Sequence, residues 1–323
     1  MKKQNQKKKI FVTRQIPEIA VNLLNKNNYN VLVYKKNNPI PKKELLKNVK
    51  DADAVISLLS DNFDPEVING MEKCKIISNY AVGYNNIDVE YAKSKNIIVT
   101  NTPDVLTDST ADLAITLALT CARRVLEGDR LIRSGKFKGW EPKLLLGIEL
   151  KNKKFGILGA GRIGSAVALR AKAFGPDIIY YSKSKKEDLE KKTGAEKVSL
   201  NKLLKDSDFI SIHLPLNKET YHLINKENLK FIKKNSILIN TARGEIIDEK
   251  ELIKILKRRK IFAAGFDVYE NEPDINKELL KLDNVVLLPH IGSATEDTRD
   301  AMAELAAKNI INVMEGKEPI TPV

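Results

Sequence analysis

Gly159, Gly161 and Gly164 stand in FGILGAGRIG, a stretch that follows an apolar run and opens a helical pattern. In that setting the first glycine permits a tight turn and the second lets backbone approach a pyrophosphate. The third lets helix and strand pack closely, with the anion at the helix N-terminus. Glycines also mark ordinary turns, but the strand–turn–helix order points to dinucleotide binding.

The next strand run, Ile178 to Tyr181, bears on which dinucleotide. An NAD site places Asp or Glu about 20 residues on, where it bonds the ribose hydroxyls. Asp177 has roughly that spacing but precedes the strand. Beyond Tyr181 come Ser182, Lys183, Ser184, Lys185 and Lys186, with no carboxylate before Glu187. Hydroxyls and ammonium groups suit a 2′-phosphate, which a carboxylate would repel. The turn favours NADP(H), with NAD(H) possible; a solvated lysine turn is the plainer alternative.

Three later stretches complete a site: INTARGEIID (Ile239 to Asp248), GFDVYENEP (Gly265 to Pro273) and LPHIGSAT (Leu288 to Thr295). Each begins at the carboxyl end of a predicted strand, where open α/β sheets bind ligands. Together they offer Arg243, Asp267, Glu272 and His290. Singly these read as a surface cation, loop acids and a strand-end cap; at consecutive strand ends of one sheet they read as a site.

The elements that must position these residues alternate between short β-branched runs and helical stretches, the pattern of parallel sheets with crossover helices. Predicted strands at 10–13, 29–34, 54–59, 75–79 and 97–101 are separated by helices opening near Pro17, Pro41, Pro65 and Asp88. One long helix is predicted from Asp108 to Ser134, apolar nearly all round in its first half and so buried on several sides. Residues 135–147 are irregular and carry the only tryptophan, Trp140. Six further strands follow, at 155–158, 178–181, 209–214, 237–240, 263–268 and 285–288, with helices opening at Arg162 and Asp248. A long closing helix runs from Thr295 to Glu315.

Composition narrows the class. With 323 residues, 42% hydrophobic and 30% charged, the chain reads as about two globular domains. No apolar run reaches membrane-spanning length, and Arg14, Pro17 and Glu18 break the first apolar stretch, so neither a transmembrane helix nor a signal peptide is expected. Cys74 and Cys121 are too few for a disulfide framework or a zinc site, and read as buried thiols. The expectation is a cytoplasmic protein with no metal. The net charge of +13 includes Lys2, Lys3, Lys7, Lys8 and Lys9 ahead of the first strand. Lys254, Lys257, Arg258, Arg259 and Lys260 close a predicted helix, where cations meet the dipole favourably. Few aromatics interleave with these charges, so neither nucleic acid nor a membrane is the expected partner.

The set GAGRIG, NTARGEIID, DVYENEP and PHIGSAT, with NYAVGYNNID (Asn79 to Asp88), resembles the D-specific 2-hydroxyacid dehydrogenases, nearest to the glyoxylate/hydroxypyruvate reductase branch. The resemblance runs from the first strand to the last helix. It implies an α/β fold of two doubly wound parallel-sheet domains. A Rossmann cofactor domain (103–291) is inserted into a flavodoxin-like substrate domain (1–102 plus 292–323). It also implies a homodimer, built largely through the segment that begins at Asp108.

Reduction of a 2-oxo acid moves hydride to a carbonyl carbon and builds negative charge on its oxygen, so an acid with pKa near 7 is needed. By resemblance that acid is His290, with Glu272 as its carboxylate partner. Arg243 clasps the substrate carboxylate and polarises the carbonyl. Val82 and Gly83 offer backbone N–H groups to the same carboxylate, and Trp140 shapes the far side of the substrate pocket. Cofactor contacts are implied at Thr107, Gly159, Gly161, Arg162, Ile163, Gly164, Ser182, Lys183, Ser184, His213, Pro215, Thr220, Thr241, Ala242, Asp267, His290 and Gly292. Of these Asp267 matches the position that holds the carboxamide. His213 and His222 lack a carboxylate in a matching motif, which ranks His290 first. Within the family D-3-phosphoglycerate and other 2-hydroxyacid dehydrogenases stay open. From another class, so does a non-catalytic NAD(P)-sensing, co-repressor-like protein.

Overall fold

The structure, a computed structural model, describes residues 7–323; Lys2 and Lys3 lie outside them. Strands and helices alternate as β1 (Lys9–Val12), α1 (Glu18–Lys26), β2 (Asn30–Val33), α2 (Lys42–Val49), β3 (Ala54–Ser57), α3 (Pro65–Asn69), β4 (Ile76–Asn79), α4 (Val89–Ser94) and β5 (Ile98–Thr100). They continue as α5 (Thr107–Ala122), α6 (Val125–Arg133), β6 (Lys154–Leu158), α7 (Arg162–Lys172), β7 (Asp177–Tyr181), α8 (Glu187–Thr193), β8 (Glu196–Lys197), α9 (Leu200–Asp206) and β9 (Phe209–Ile212). The remainder is α10 (Lys226–Leu229), β10 (Ile237–Asn240), α11 (Glu249–Lys257), β11 (Ala263–Phe266), β12 (Val285–Leu287) and α12 (Glu296–Met314). Lys9 opens β1 rather than preceding it. No helix among the described residues is long and apolar enough to cross a membrane.

The chain divides into two compact units, residues 1–106 with 293–323, and residues 107–292. The first holds a five-stranded parallel sheet in the order β2-β1-β3-β4-β5. Its helices start where the chain supplies acceptors: the Asp64 and Asp88 carboxylates take the N–H groups of Val67 and Tyr91, with Pro65 at a first helical position. Strands β3 and β4 are buried at every position, as parallel strands covered on both faces must be. Helix α12, capped by Thr295, belongs to this unit, and Ser78 Oγ donates to the Ala306 carbonyl at 3.0 Å.

The second unit holds a seven-stranded parallel sheet, β12-β11-β10-β9-β6-β7-β8. Strand order reverses between β6 and β9, the switch point at which doubly wound sheets open a ligand crevice. Two expectations fail here. The sheet has a seventh strand, β8, two exposed residues at its edge. The long helix predicted from Asp108 to Ser134 is two helices, because the Ile148 N–H takes the Ala122 carbonyl at 2.9 Å and Arg124 turns left-handed at φ 52°. The α5 half is buried around most of its girth, as its sequence indicates.

Candidate active site

At the switch point, register pairs Leu158 of β6 with Ile212 of β9, and the His213 N–H donates to the Leu158 carbonyl at 2.8 Å. Gly159 and His213 therefore leave the sheet side by side. Gly159 has φ 101°, and a Cβ there would lie 2.8 Å from the His213 backbone. A Cβ on Gly164 would meet the Gly159 carbonyl oxygen at 2.0 Å, whereas Gly161 faces open space. The N-terminus of α7 has no side-chain cap, so its leading N–H groups point out of the loop. At the end of β10, the buried Thr241 hydroxyl has no hydrogen-bond partner among the described residues. A tight turn, a space beside bare backbone and an uncapped helix start fit a dinucleotide pyrophosphate.

Arg243, Asp267 and His290 follow the adjacent ends of β10, β11 and β12, which pair in register through Asn240, Phe266 and Leu287. His290 Nδ1 lies 2.8 Å from Glu272 Oε2, and the other oxygen, Oε1, accepts the Tyr269 N–H at 2.9 Å. Burial alone would raise the Glu272 carboxyl. The His290 bond and charge, the Tyr269 N–H and the Arg243 charge outweigh it and hold the group below its ordinary value. Burial pushes the Arg243 guanidinium down, opposed by the Glu272 and Glu245 charges, and Arg243 Nη1 donates to the Ala242 carbonyl at 2.7 Å. With Nδ1 directed at a carboxylate, Nε2 is the ring's other hydrogen-bonding nitrogen.

His290 itself has φ 54°. Asp267 holds it there: its two oxygens accept the N–H groups of Ile291 and Gly292, each at 2.7 Å. Burial raises the Asp267 carboxyl against those bonds. Asp267 is thus visibly the anchor of the His290 loop. His213 is unfit as an acid, because burial pushes its imidazole down to about 3. Its Nε2 meets Ser211 Oγ at 2.8 Å.

The other candidates fall in several places. Arg162 and Ile163 open α7, and Ser182, Lys183 and Ser184 follow β7. Lys183 forms an ion pair with Glu219, from the loop that also contains Pro215 and Thr220. Asp177 is exposed at the opposite end of β7. The Thr220 hydroxyl is engaged within its own loop, donating to the Pro215 carbonyl at 2.6 Å. Thr107 opens α5, and Trp140 is 84% exposed, so it is not a core residue. In the other unit, side-chain amides of Asn101 and Asn79 hold the carbonyls of Val82 and Gly83 at 2.8 Å each. A cavity of about 270 Å³ opens at the amino ends of β11 and β12, lined in part by Arg124, Lys234 and Arg259, away from all of these motifs.

Sequence reasoning missed three contributors. Asn240 accepts the Ala242 N–H and donates to the Arg243 carbonyl at 2.8 Å, shaping the arginine's turn; a polar residue ending a buried strand was its signal. Tyr269 holds Glu272 through its N–H, and its hydroxyl donates to the Leu288 carbonyl at 2.8 Å. His222 does have a carboxylate partner, since its Nε2 lies 2.9 Å from Glu270 Oε1 within DVYENEP, contrary to the expectation above. No group of three or more metal-ligating side chains is placed to hold an ion among the described residues.

Comparison with known proteins shows the family. The family model described as D-isomer specific 2-hydroxyacid dehydrogenase, NAD binding domain, matches residues 115–292. A glyoxylate reductase of Pyrococcus horikoshii is 51% identical over 321 residues, covering 98% of this chain and 96% of its own. One of Thermococcus litoralis is 52% identical over 317 residues, with 97% and 96% covered. Among solved structures, an NADPH-dependent glyoxylate/hydroxypyruvate reductase of Sinorhizobium meliloti, in complex with NADP and malonate, has a TM-score of 0.86. It is 30% identical, with 98% of this chain and 97% of that one covered. On the family match and on half the sequence shared with full-length relatives, the chain belongs to the D-isomer-specific 2-hydroxyacid dehydrogenases.

Proposed function

We propose that the chain reduces a small 2-oxo acid, glyoxylate or hydroxypyruvate, to the 2-hydroxy acid, using NADPH ahead of NADH and acting as a homodimer. The observation that carries this reading is the His290–Glu272 pair, 2.8 Å apart, in the field of Arg243. The nicotinamide cofactor, when bound, supplies the hydride. His290 holds a proton at Nε2 for the carbonyl oxygen as charge builds there, while Glu272 keeps Nδ1–H in place. Arg243 binds the substrate carboxylate and polarises the neighbouring carbonyl. Val82 and Gly83, in the other unit, offer N–H groups for a substrate; no described residue accepts from either.

The contiguous unit 107–292 is the cofactor domain in this reading, and the first unit the substrate domain. Thr107, His213 and Ala242 line the cofactor beside the glycine loop, with Asp267 on the carboxamide. Ser182, Lys183 and Ser184 face the 2′-phosphate. The relatives' printed substrate and cofactor names favour the same choices. Dimerisation is supported by a run of apolar side chains left exposed on α6 and after it: Val125, Leu126, Ile132, Phe137, Trp140 and Leu146. At 84% exposure Trp140 lines a pocket only when another surface closes over it, a role we give to the second copy.

The test is NADPH oxidation with glyoxylate, hydroxypyruvate, pyruvate and 2-ketogluconate. Turnover with either of the first two, and a His290→Gln loss in kcat of about 100-fold or more, is the expected result. Tight NADPH binding without turnover of any substrate would overturn it in favour of a nucleotide sensor.

A further inference from the structure

The structure holds a second histidine–carboxylate pair, which the reaction does not use. His222 has φ 46° and stacks its ring on Tyr221, with centroids 4.1 Å apart. Its backbone N–H donates to the Glu245 carbonyl at 2.8 Å, two residues beyond Arg243. Its Nε2 bonds Glu270 Oε1 at 2.9 Å, two residues before Glu272. One residue thus grips, by backbone and by side chain, both loops that carry the site. Between those grips the loops touch directly: a Cβ on Gly244 would fall 1.9 Å from the Tyr269 carbonyl carbon and 2.2 Å from the Glu270 nitrogen. A contact that close transmits any movement of Glu270 to the residue beside Arg243. On the far side, Glu272 receives the Tyr269 N–H and holds His290. The connection from His222 to both Arg243 and His290 is short and made of hydrogen bonds and packed backbone.

We propose that His222 is a positioning residue for the reduction: by holding Glu270 and the Glu245 carbonyl together, it sets the Arg243 guanidinium relative to the Glu272–His290 pair. This rests on the roles given to Arg243 and His290 above. The imidazole suits the task because it is rigid and can hydrogen-bond a carboxylate in either protonation state, provided the proton is on Nε2. The ring also closes the cluster in which Glu245, Glu249 and Glu270 would otherwise face one another with Arg243 as the cation. Misplacement of a substrate clamp by a fraction of an ångström is costly to rate while leaving cofactor binding intact.

His222→Phe keeps a ring on Tyr221 and removes the bond to Glu270; His222→Gln places an amide N–H where Nε2 was; Glu270→Leu removes the acceptor from the other side. Each protein is titrated with NADPH to count binding sites. Then kcat per site is measured with glyoxylate, and inhibition with oxamate, a small carboxylate that probes Arg243. The expected result for His222→Phe is a loss of roughly 10-fold in kcat per site and a similar weakening of oxamate. The KM for NADPH stays within about twofold, and His222→Gln recovers most of the loss. A role confined to stability would lower melting temperature or site count and leave kcat per site and oxamate affinity unchanged. That outcome in His222→Phe overturns the proposal. If His222→Phe does not fold, Glu270→Leu decides, and unchanged values there overturn it equally. Arg243→Ala serves as the control: full activity in that variant defeats the underlying reading, whereas an inactive Arg243→Ala beside a normal His222→Phe defeats only this inference.

Discussion

Replacing Glu272 by Gln isolates what the negative charge contributes, because the side chain keeps its shape. Two donors converge on the carboxylate, the Tyr269 N–H on Oε1 at 2.9 Å and His290 Nδ1 on Oε2 at 2.8 Å. Glutamine has one acceptor oxygen. With the Tyr269 N–H holding that oxygen, the amide NH₂ is turned toward Nδ1, where it donates instead of accepts. The ring then carries its only proton on Nε2. Giving that proton to the substrate would leave an imidazolate, so the general acid is lost. A hydrogen bond to a charged group contributes about 1.5–3 kcal/mol, and each 1.4 kcal/mol is tenfold in rate, so kcat is expected to fall roughly 10- to 100-fold. The assay is steady-state NADPH oxidation with glyoxylate near neutral pH, with circular dichroism to verify the fold. The KM for NADPH should stay within about twofold. A Glu272→Gln enzyme with kcat within threefold of the native value refutes the reasoning, since the carboxylate would then be dispensable to the acid.

Stability carries the same signature. Burial would raise the Glu272 carboxyl, but its partners hold it below the usual carboxylate value. Its contribution is therefore complete above the unfolded value of about 4.3 and disappears as pH falls through the lower folded value; acid titration of melting temperature should show that loss in the native chain and not in Glu272→Gln. Lys183→Ala should raise the KM for NADPH by about tenfold or more and leave NADH within about twofold; equal changes for both cofactors would remove the 2′-phosphate assignment. Gly164→Ala puts a Cβ 2.0 Å from the Gly159 carbonyl oxygen and should cost about 1–3 kcal/mol, read as a lowered melting temperature together with weakened NADPH binding. Burial pushes the thiols of Cys74 and Cys121 up to about 12, so a disulfide reagent should titrate neither until the chain unfolds; rapid native reaction of either would contradict that burial.

Much of this is legible in the sequence. Proline and aspartate marked helix starts correctly at Pro17, Pro41, Pro65 and Asp88, because capping is a local affair of one side chain and the next turn. Strand ends placed Arg243, Asp267 and His290 on one edge, because parallel strands share polarity. What escaped were features decided by partners distant in sequence. The break after Ala122 depends on the Ile148 N–H and leaves no trace in the apolar pattern of the helix. Strand β8 is two exposed residues, Glu196 and Lys197, with no alternation to detect. The His222–Glu270 bond joins residues 48 apart, and motif spacing speaks only for residues inside a motif. Lys183 showed its charge in the sequence but not its carboxylate partner, Glu219.

The chain leaves its first unit at Leu106 and returns to it at Ser293, with helix α12 completing what β1 to β5 began. Met302, Ala303, Ala306, Ala307 and Ile310 are all buried there, and the Tyr80 hydroxyl donates to the Arg299 carbonyl at 2.8 Å. On a ribosome these partners emerge far apart in time. The intervening unit spans residues 107–292, which take on the order of 10–40 s to translate at ~5–20 residues per second. The contiguous inner unit has all its strands in hand before α12 is made, while the five-stranded sheet waits with the seat of that helix bare. The segment synthesised earliest is thus the one completed last, and the seconds before α12 arrives are when its apolar face is open to wrong partners.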